Sequence, residues 1–200
     1  MPNRAYPVGS FVYTPHQSYR VLYLLLQGRI RIFRVLESGR ELTTAVVQPG
    51  SMFGEMILLG RDQHQSFAEA LQDSVVGVVT KADMERLMVD HRIAARIAET
   101  VATRLDDLAR ALEDSVFKSA PERVAGALLR LAAAPTGMPP RRRIDADLMV
   151  THEQLAGIAA VSRETTTKIL GDFSDQGLIA LHRGRITVQD RGLLVAASGR

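Results

Sequence analysis

No cysteine occurs anywhere in the 200 residues. That absence excludes disulfides, thiolate zinc sites, cysteine-ligated iron–sulfur clusters and a cysteine nucleophile, and it closes off redox sensing through thiols. Histidine is scarce as well, and His16, His64 and His91 lack the spacing of metal ligands. No His-x-His pair and no cluster of carboxylates stands in the first eighty residues, so a metal enzyme built on β-structure is disfavoured. No apolar run approaches eighteen residues, and no basic segment followed by a hydrophobic stretch and a small-residue cleavage site opens the chain. The expectation is a cytoplasmic protein that makes no membrane contact.

What is present suits a folded protein. Hydrophobic residues make up 46% of the chain, enough for a substantial core in one large or two small domains. Net charge is only +3, but it is unevenly spread. Residues 1–115 carry 13 Lys/Arg against 14 Asp/Glu, and residues 116–200 carry 12 against 8. A basic C-terminal part suits a polyanionic partner, whose condensed counterions cationic side chains displace, although a solvated surface has the same composition.

The first eighty residues read as short β segments. Val21–Leu26, Arg29–Leu36 and Leu42–Val47 are rich in Val, Ile, Leu and aromatics, with breaks at Gln27-Gly28, Ser38-Gly39 and Gln48-Pro49-Gly50. Alternation along Arg29–Val35 predicts one buried and one wet face. Many short strands with glycine turns favour a small barrel or jelly roll. After Thr80, helical signals take over. Thr80 with Asp83 marks a helix start for Ala82–Met88, and from His91 to Phe117 the residues Ile93, Ile97, Val101, Leu105, Leu108 and Leu112 form one stripe at helical spacing. Such a stripe packs on its own domain or on a second copy of itself.

Ser119-Ala120-Pro121-Glu122 starts another helix, which runs through Val124, Leu128 and Leu131, and places a domain boundary near residue 118. The loop from Thr136 to Arg143 ends in Arg141-Arg142-Arg143, either a solvated run or a DNA contact. Thr151-His152-Glu153-Gln154 is a capping box, Leu155, Ile158 and Ala159 follow as a short apolar face, and Ser162 is placed to cap the next helix, Arg163–Gln176. Two short helices so joined have helix-turn-helix geometry. Arg163, Glu164, Thr167 and Lys168 remain for the outer surface of the second helix, as base readers or as an ordinary charged face. Leu178–Leu181 and Ile186–Val188 read as a hairpin whose basic turn, His182-Arg183-Gly184-Arg185, forms a wing.

The run Val150–Leu170 resembles the helix-turn-helix of the cyclic-AMP receptor protein / fumarate and nitrate reductase regulator (CRP/FNR) family, and Leu24–Ile32 and Pro49–Glu55 are similar to other marks of that family. The likeness covers nearly the whole chain. It implies an α+β fold: a jelly-roll domain of the cyclic-nucleotide-binding kind at 1–90, a long dimerisation helix at 91–118 and a C-terminal winged helix-turn-helix domain at 119–200. It further implies a transcription regulator, not an enzyme, with double-stranded DNA, RNA polymerase and a second copy of itself as partners. The DNA-binding residues so implied are Thr151, His152, Ser162, Arg163, Glu164, Thr165, Thr167, Lys168, His182, Arg183 and Arg185. Arg163, Glu164 and Lys168 align with the base-reading trio for a palindrome with TGTGA-like arms. Lys168 stands where the family pattern has arginine, so discrimination at its base pair is weaker. Ile97, Val101, Leu105, Leu108 and Leu112 form the dimer face. In the effector pocket, Gly54 and Glu55 match the glycine and the ribose-contacting glutamate, and Ser66 matches the serine beside the phosphate. Gln65 replaces the phosphate-binding arginine, and Leu108 and Ala109 replace the adenine contacts. Arg104 matches a basic residue of 2-oxoglutarate-responsive relatives. The expectation is a regulator that needs no cyclic AMP and no cofactor. A ligand-gated regulator with another small molecule is the alternative, and a cupin-like enzyme is the remote one.

Overall fold

Strands precede helices along the chain, and the computed structural model describes residues 2–17, 21–55, 63–133 and 147–199. Its first strands are β1 (Asn3–Tyr6), β2 (Phe11–Tyr13), β3 (Val21–Gln27), β4 (Ile30–Val35), β5 (Glu41–Val47), β6 (Met52–Phe53), β7 (Phe67–Ala70) and β8 (Ser74–Thr80). They form two four-stranded sheets, in the orders β1-β8-β3-β6 and β2-β7-β4-β5. Ile30 and Ile32 of β4 share a core with Tyr13, Tyr23, Leu25, Phe53, Ala68 and Val76. Gly28, between β3 and β4, has φ +91°, and a Cβ there would lie 2.2 Å from Ser74 Oγ, so only glycine fits this turn.

The expected wet face of β4 is not wet. Arg31 is 2% exposed. It is the antiparallel register partner of Glu69 on β7, donating from Nε and Nη2 to Glu69 Oε2 at 3.0 and 2.7 Å. Its guanidinium lies 4.0 Å from the centroid of the Phe33 ring, which in turn stacks on Phe67. A charged side chain can be buried on this face because its charge is paired and its plane lies on an aromatic ring.

Thr80 caps α1 (Lys81–Leu87), accepting from the Asp83 N–H at 3.1 Å. The 27-residue α2 (His91–Phe117) has the bounds that its periodicity predicts. Its stripe divides, however. Ile97 is 8% exposed and packs with Leu22, Val79, Met84 and Ile93, which removes it from the expected dimer face. Val101, Leu105, Leu108 and Leu112 are 47, 69, 47 and 66% exposed. The chain divides into two compact units, Met1–Arg34 with Thr44–Ala109, and Val35–Thr43 with Arg110–Arg200.

The second unit contains α3 (Ala120–Ala132), β9 (Asp147–Leu148), α4 (His152–Ala159), α5 (Arg163–Asp175), β10 (Ile179–His182), β11 (Arg185–Val188) and α6 (Arg191–Ala197). Ser119 and Glu122 form a reciprocal capping box with Pro121 in the first turn of α3, as their spacing predicts. α3 packs on α4 and α6, and α4 packs on α5. Leu128, Leu155, Leu170, Ile179, Ile186 and Leu194 are fully buried. β10, β11 and β9 form an antiparallel sheet in that order. The basic run Arg141–Arg143 lies outside the described residues.

Candidate DNA-binding surface and effector cavity

Local chemistry sets both ends of the connection between α4 and α5. The Thr151 hydroxyl accepts from the Gln154 N–H at 3.1 Å, and the Gln154 side-chain carbonyl accepts from the Thr151 N–H at 2.9 Å. α4 ends at Ala160, which is left-handed at φ 53° and ψ 43°. Val161 N–H then donates back to the Ala156 carbonyl at 3.1 Å. Ser162 immediately caps α5, accepting from the Thr165 N–H at 3.1 Å. Ala156 and Gly157 are buried, and small residues there allow the two helices to approach closely.

α5 turns Thr166, Ile169, Leu170 and Phe173 inward and leaves Arg163, Glu164, Thr165, Thr167 and Lys168 exposed. The Glu164 carboxyl is held below its ordinary value by a backbone N–H at the helix start and by the Ser162 hydroxyl. A carboxylate in this exposed position can accept hydrogen bonds, as from a cytosine amino group. Arg163 Nε lies 3.9 Å from Glu153 Oε2, an exposed and loose pair that leaves the guanidinium available. His152, in the first turn of α4, places Nδ1 2.9 Å from Thr167 Oγ1 and so ties the two helices together at this surface.

The wing forms as the sequence predicts, with Ile179 opposite Val188 and His182 opposite Arg185 around the exposed turn Arg183-Gly184. Its two arginines differ. Arg185 Nη1 lies 3.1 Å from Asp147 Oδ2, and the Thr187 hydroxyl donates to Asp147 Oδ1 at 2.6 Å. Arg183 is exposed and, among the described residues, forms no such ion pair. Asp147 escapes sequence reasoning because the two-residue strand that carries it has no periodicity to read.

In the first unit a cavity of about 180 Å³ brings Gly54, Glu55, Gln65 and Ser66 together. Gly54 has φ +82°, and a Cβ there would meet the Tyr23 ring at 2.9 Å. Arg104 of α2 forms an ion pair with Glu55 and donates to the Met52 carbonyl, which makes it a neighbour of the site. Leu108 is not among the lining residues and is half exposed. Tyr13, Arg34 and His64 also line the cavity and carry no signal in the sequence, coming from separate segments. Arg34 supplies a cation where Gln63–Leu71 has none. Tyr13 and His64 stack with ring centroids 3.7 Å apart. Burial pushes the Tyr13 hydroxyl up to about 12 and pushes His64 down. Among the described residues, no group of His, Cys, Asp and Glu could hold a metal, and no helix is long and apolar enough to cross a membrane.

The cyclic nucleotide-binding domain family matches residues 3–91, and the Crp-like helix-turn-helix domain family matches residues 122–197. The chain is 32% identical to the cyclic AMP receptor protein of Thermus thermophilus, over 96% of its own length and 85% of that protein's. It is 30% identical to the CRP-like cAMP-activated global transcriptional regulator of Mycobacterium tuberculosis, over 98 and 84% of the two lengths. A crystal structure of a CRP-family transcriptional regulator from Thermus thermophilus superposes with a TM-score of 0.84 at 28% identity, covering 98% of this chain and 97% of that one. The two domain matches and the relatives that span both domains agree: the chain belongs to the CRP/FNR family of transcription regulators and carries a helix-turn-helix DNA-binding domain.

Proposed function

We propose that the chain is a cytoplasmic homodimer that reads a palindromic site with TGTGA-like arms and activates transcription through contact with RNA polymerase, without cyclic AMP. In this reading residues 1–90 are the effector-type domain, 91–118 the dimerising helix and hinge, and 119–200 the DNA-binding domain. The observation that carries it is the exposed N-terminal half of α5, where Arg163 and Lys168 present donors and Glu164 presents a carboxylate acceptor beside the capped turn. In a recognition helix these positions reach base edges first. Val101, Leu105, Leu108 and Leu112 support the dimer, because a second copy would cover a stripe that the protomer leaves exposed. Independence from cyclic AMP is supported by Gln65, which lines the cavity and cannot neutralise a phosphate.

A ligand-gated regulator is the second reading, favoured by the cavity itself and by Arg34 in its wall. Selection from a random duplex library by the full chain, near physiological salt and with no ligand added, separates the two. Enrichment of a palindrome supports the first reading. Enrichment only after cyclic nucleotides or other metabolites are added overturns it in favour of the second.

A further inference from the structure

We propose that Thr167 reads a thymine through its methyl group, with His152 as the residue that positions it. The inference rests on the helix-turn-helix reading of α4 and α5. Three threonines follow one another on α5, and each hydroxyl has a partner inside the protein. Thr165 Oγ1 lies 3.0 Å from Ser162 Oγ. Thr166, fully buried, donates from Oγ1 to the Ser162 carbonyl at 3.0 Å. Thr167 Oγ1 instead leaves its own helix and meets His152 Nδ1 at 2.9 Å.

A helical threonine ordinarily turns its hydroxyl to the carbonyl three or four residues back. Because Cβ carries both the hydroxyl and the methyl, a single torsion sets both. Holding Oγ1 toward α4 therefore fixes the direction of Cγ2 as well. Thr167 is exposed, four residues beyond Arg163 and three beyond Glu164, and so shares their side of the helix. The charged side chains there match the hydrogen-bonding edges of bases. A fixed methyl between them matches the one apolar feature of the major groove, the C5-methyl of thymine. His152 touches no base in this scheme. It holds the hydroxyl and thereby the methyl.

The test uses the full chain and the duplex that it selects, with each thymine replaced in turn by deoxyuridine, which lacks only the methyl. One thymine position is expected to lose about fourfold in affinity per half-site on replacement, the worth of one buried methyl group. Thr167→Ser, which keeps the hydroxyl and lacks the methyl, is expected to bind thymine and uracil duplexes equally. Thr167→Val, which keeps a methyl but lacks the hydroxyl that His152 holds, is expected to lower the thymine-to-uracil ratio without abolishing it, as His152→Ala does. His152→Ala lowers the thymine-to-uracil ratio while binding to the site persists, an outcome that a purely structural role would not produce. The inference is overturned if no thymine is sensitive, or if Thr167→Ser discriminates as the unmodified protein does. Failure to select any duplex would instead remove the DNA-reading proposal, and this inference with it.

Discussion

Leu105→Ala and Ile97→Ala, two substitutions on one stripe of α2, should act on different equilibria. Leu105 is 69% exposed and Ile97 is 8% exposed. Leu→Ala removes three carbons, worth about 2.4 kcal/mol at about 0.8 kcal/mol each when fully buried. If a second copy covers Leu105, about two thirds of that, roughly 1.6 kcal/mol, is lost per protomer. Two-fold symmetry doubles the loss to about 3.2 kcal/mol, or roughly a 200-fold weaker dimer. Ile97→Ala should instead destabilise the protomer by about 2–5 kcal/mol, because it opens a hole beside Leu22, Val79 and Met84. Sedimentation equilibrium over a concentration series measures the first effect, and denaturant unfolding at concentrations that favour the monomer measures the second. An unchanged dissociation constant for Leu105→Ala would refute the assignment of this face.

Three further outcomes are expected. Ala160→Gly relieves a left-handed alanine, a gain of about 1–2 kcal/mol, against about 0.4–1 kcal/mol of added unfolded-chain entropy. A net stabilisation of about 0.5–1 kcal/mol should appear in urea unfolding, and destabilisation would contradict the strain argument. Burial pushes His64 below the ordinary imidazole value of 6.5, so between the two values the unfolded chain binds a proton that the fold does not. Stability should therefore fall as pH drops below about 6.5, a slope that His64→Phe removes while keeping a ring against Tyr13; equal slopes in the two proteins would remove His64 as the cause. Arg183→Ala should lower the salt dependence of DNA binding by about one ion per protomer, whereas Arg185→Ala, its guanidinium held by Asp147, should lower it less. Equal changes would mean that Asp147 does not withdraw Arg185 from the phosphates.

Features encoded within a few residues are legible in the sequence. The bounds of α2, the caps at Thr80, Ser119, Thr151 and Ser162, and the wing hairpin follow from spacing and side-chain chemistry alone. Features that depend on distant partners are not. Alternation places Arg31 in solvent because Glu69, 38 residues away, is invisible to a local pattern. Periodicity puts Ile97 in the same stripe as Leu105 because it reports a helix face and not what covers it. Tyr13, Arg34 and His64 converge on the cavity from segments with no shared motif. The short strands β1, β2, β7 and β9, and helix α6, carry too few residues for a period to emerge. Among the residues proposed to face DNA, the sequence supplies Thr167 and His152 but not the hydrogen bond between them.

The Arg31–Glu69 pair also constrains how this chain can change over generations. Loss of either partner takes a 2.7 Å ion pair from a side chain that is 2 or 11% exposed, and breaking a buried pair costs up to about 3–5 kcal/mol. That is a large part of the roughly 5–15 kcal/mol that holds a typical domain together. Replacing both with apolar residues of similar volume is often neutral or better. Two sequences of similar fitness are thus separated by less stable single-step intermediates, and positions 31 and 69 should change together more often than singly.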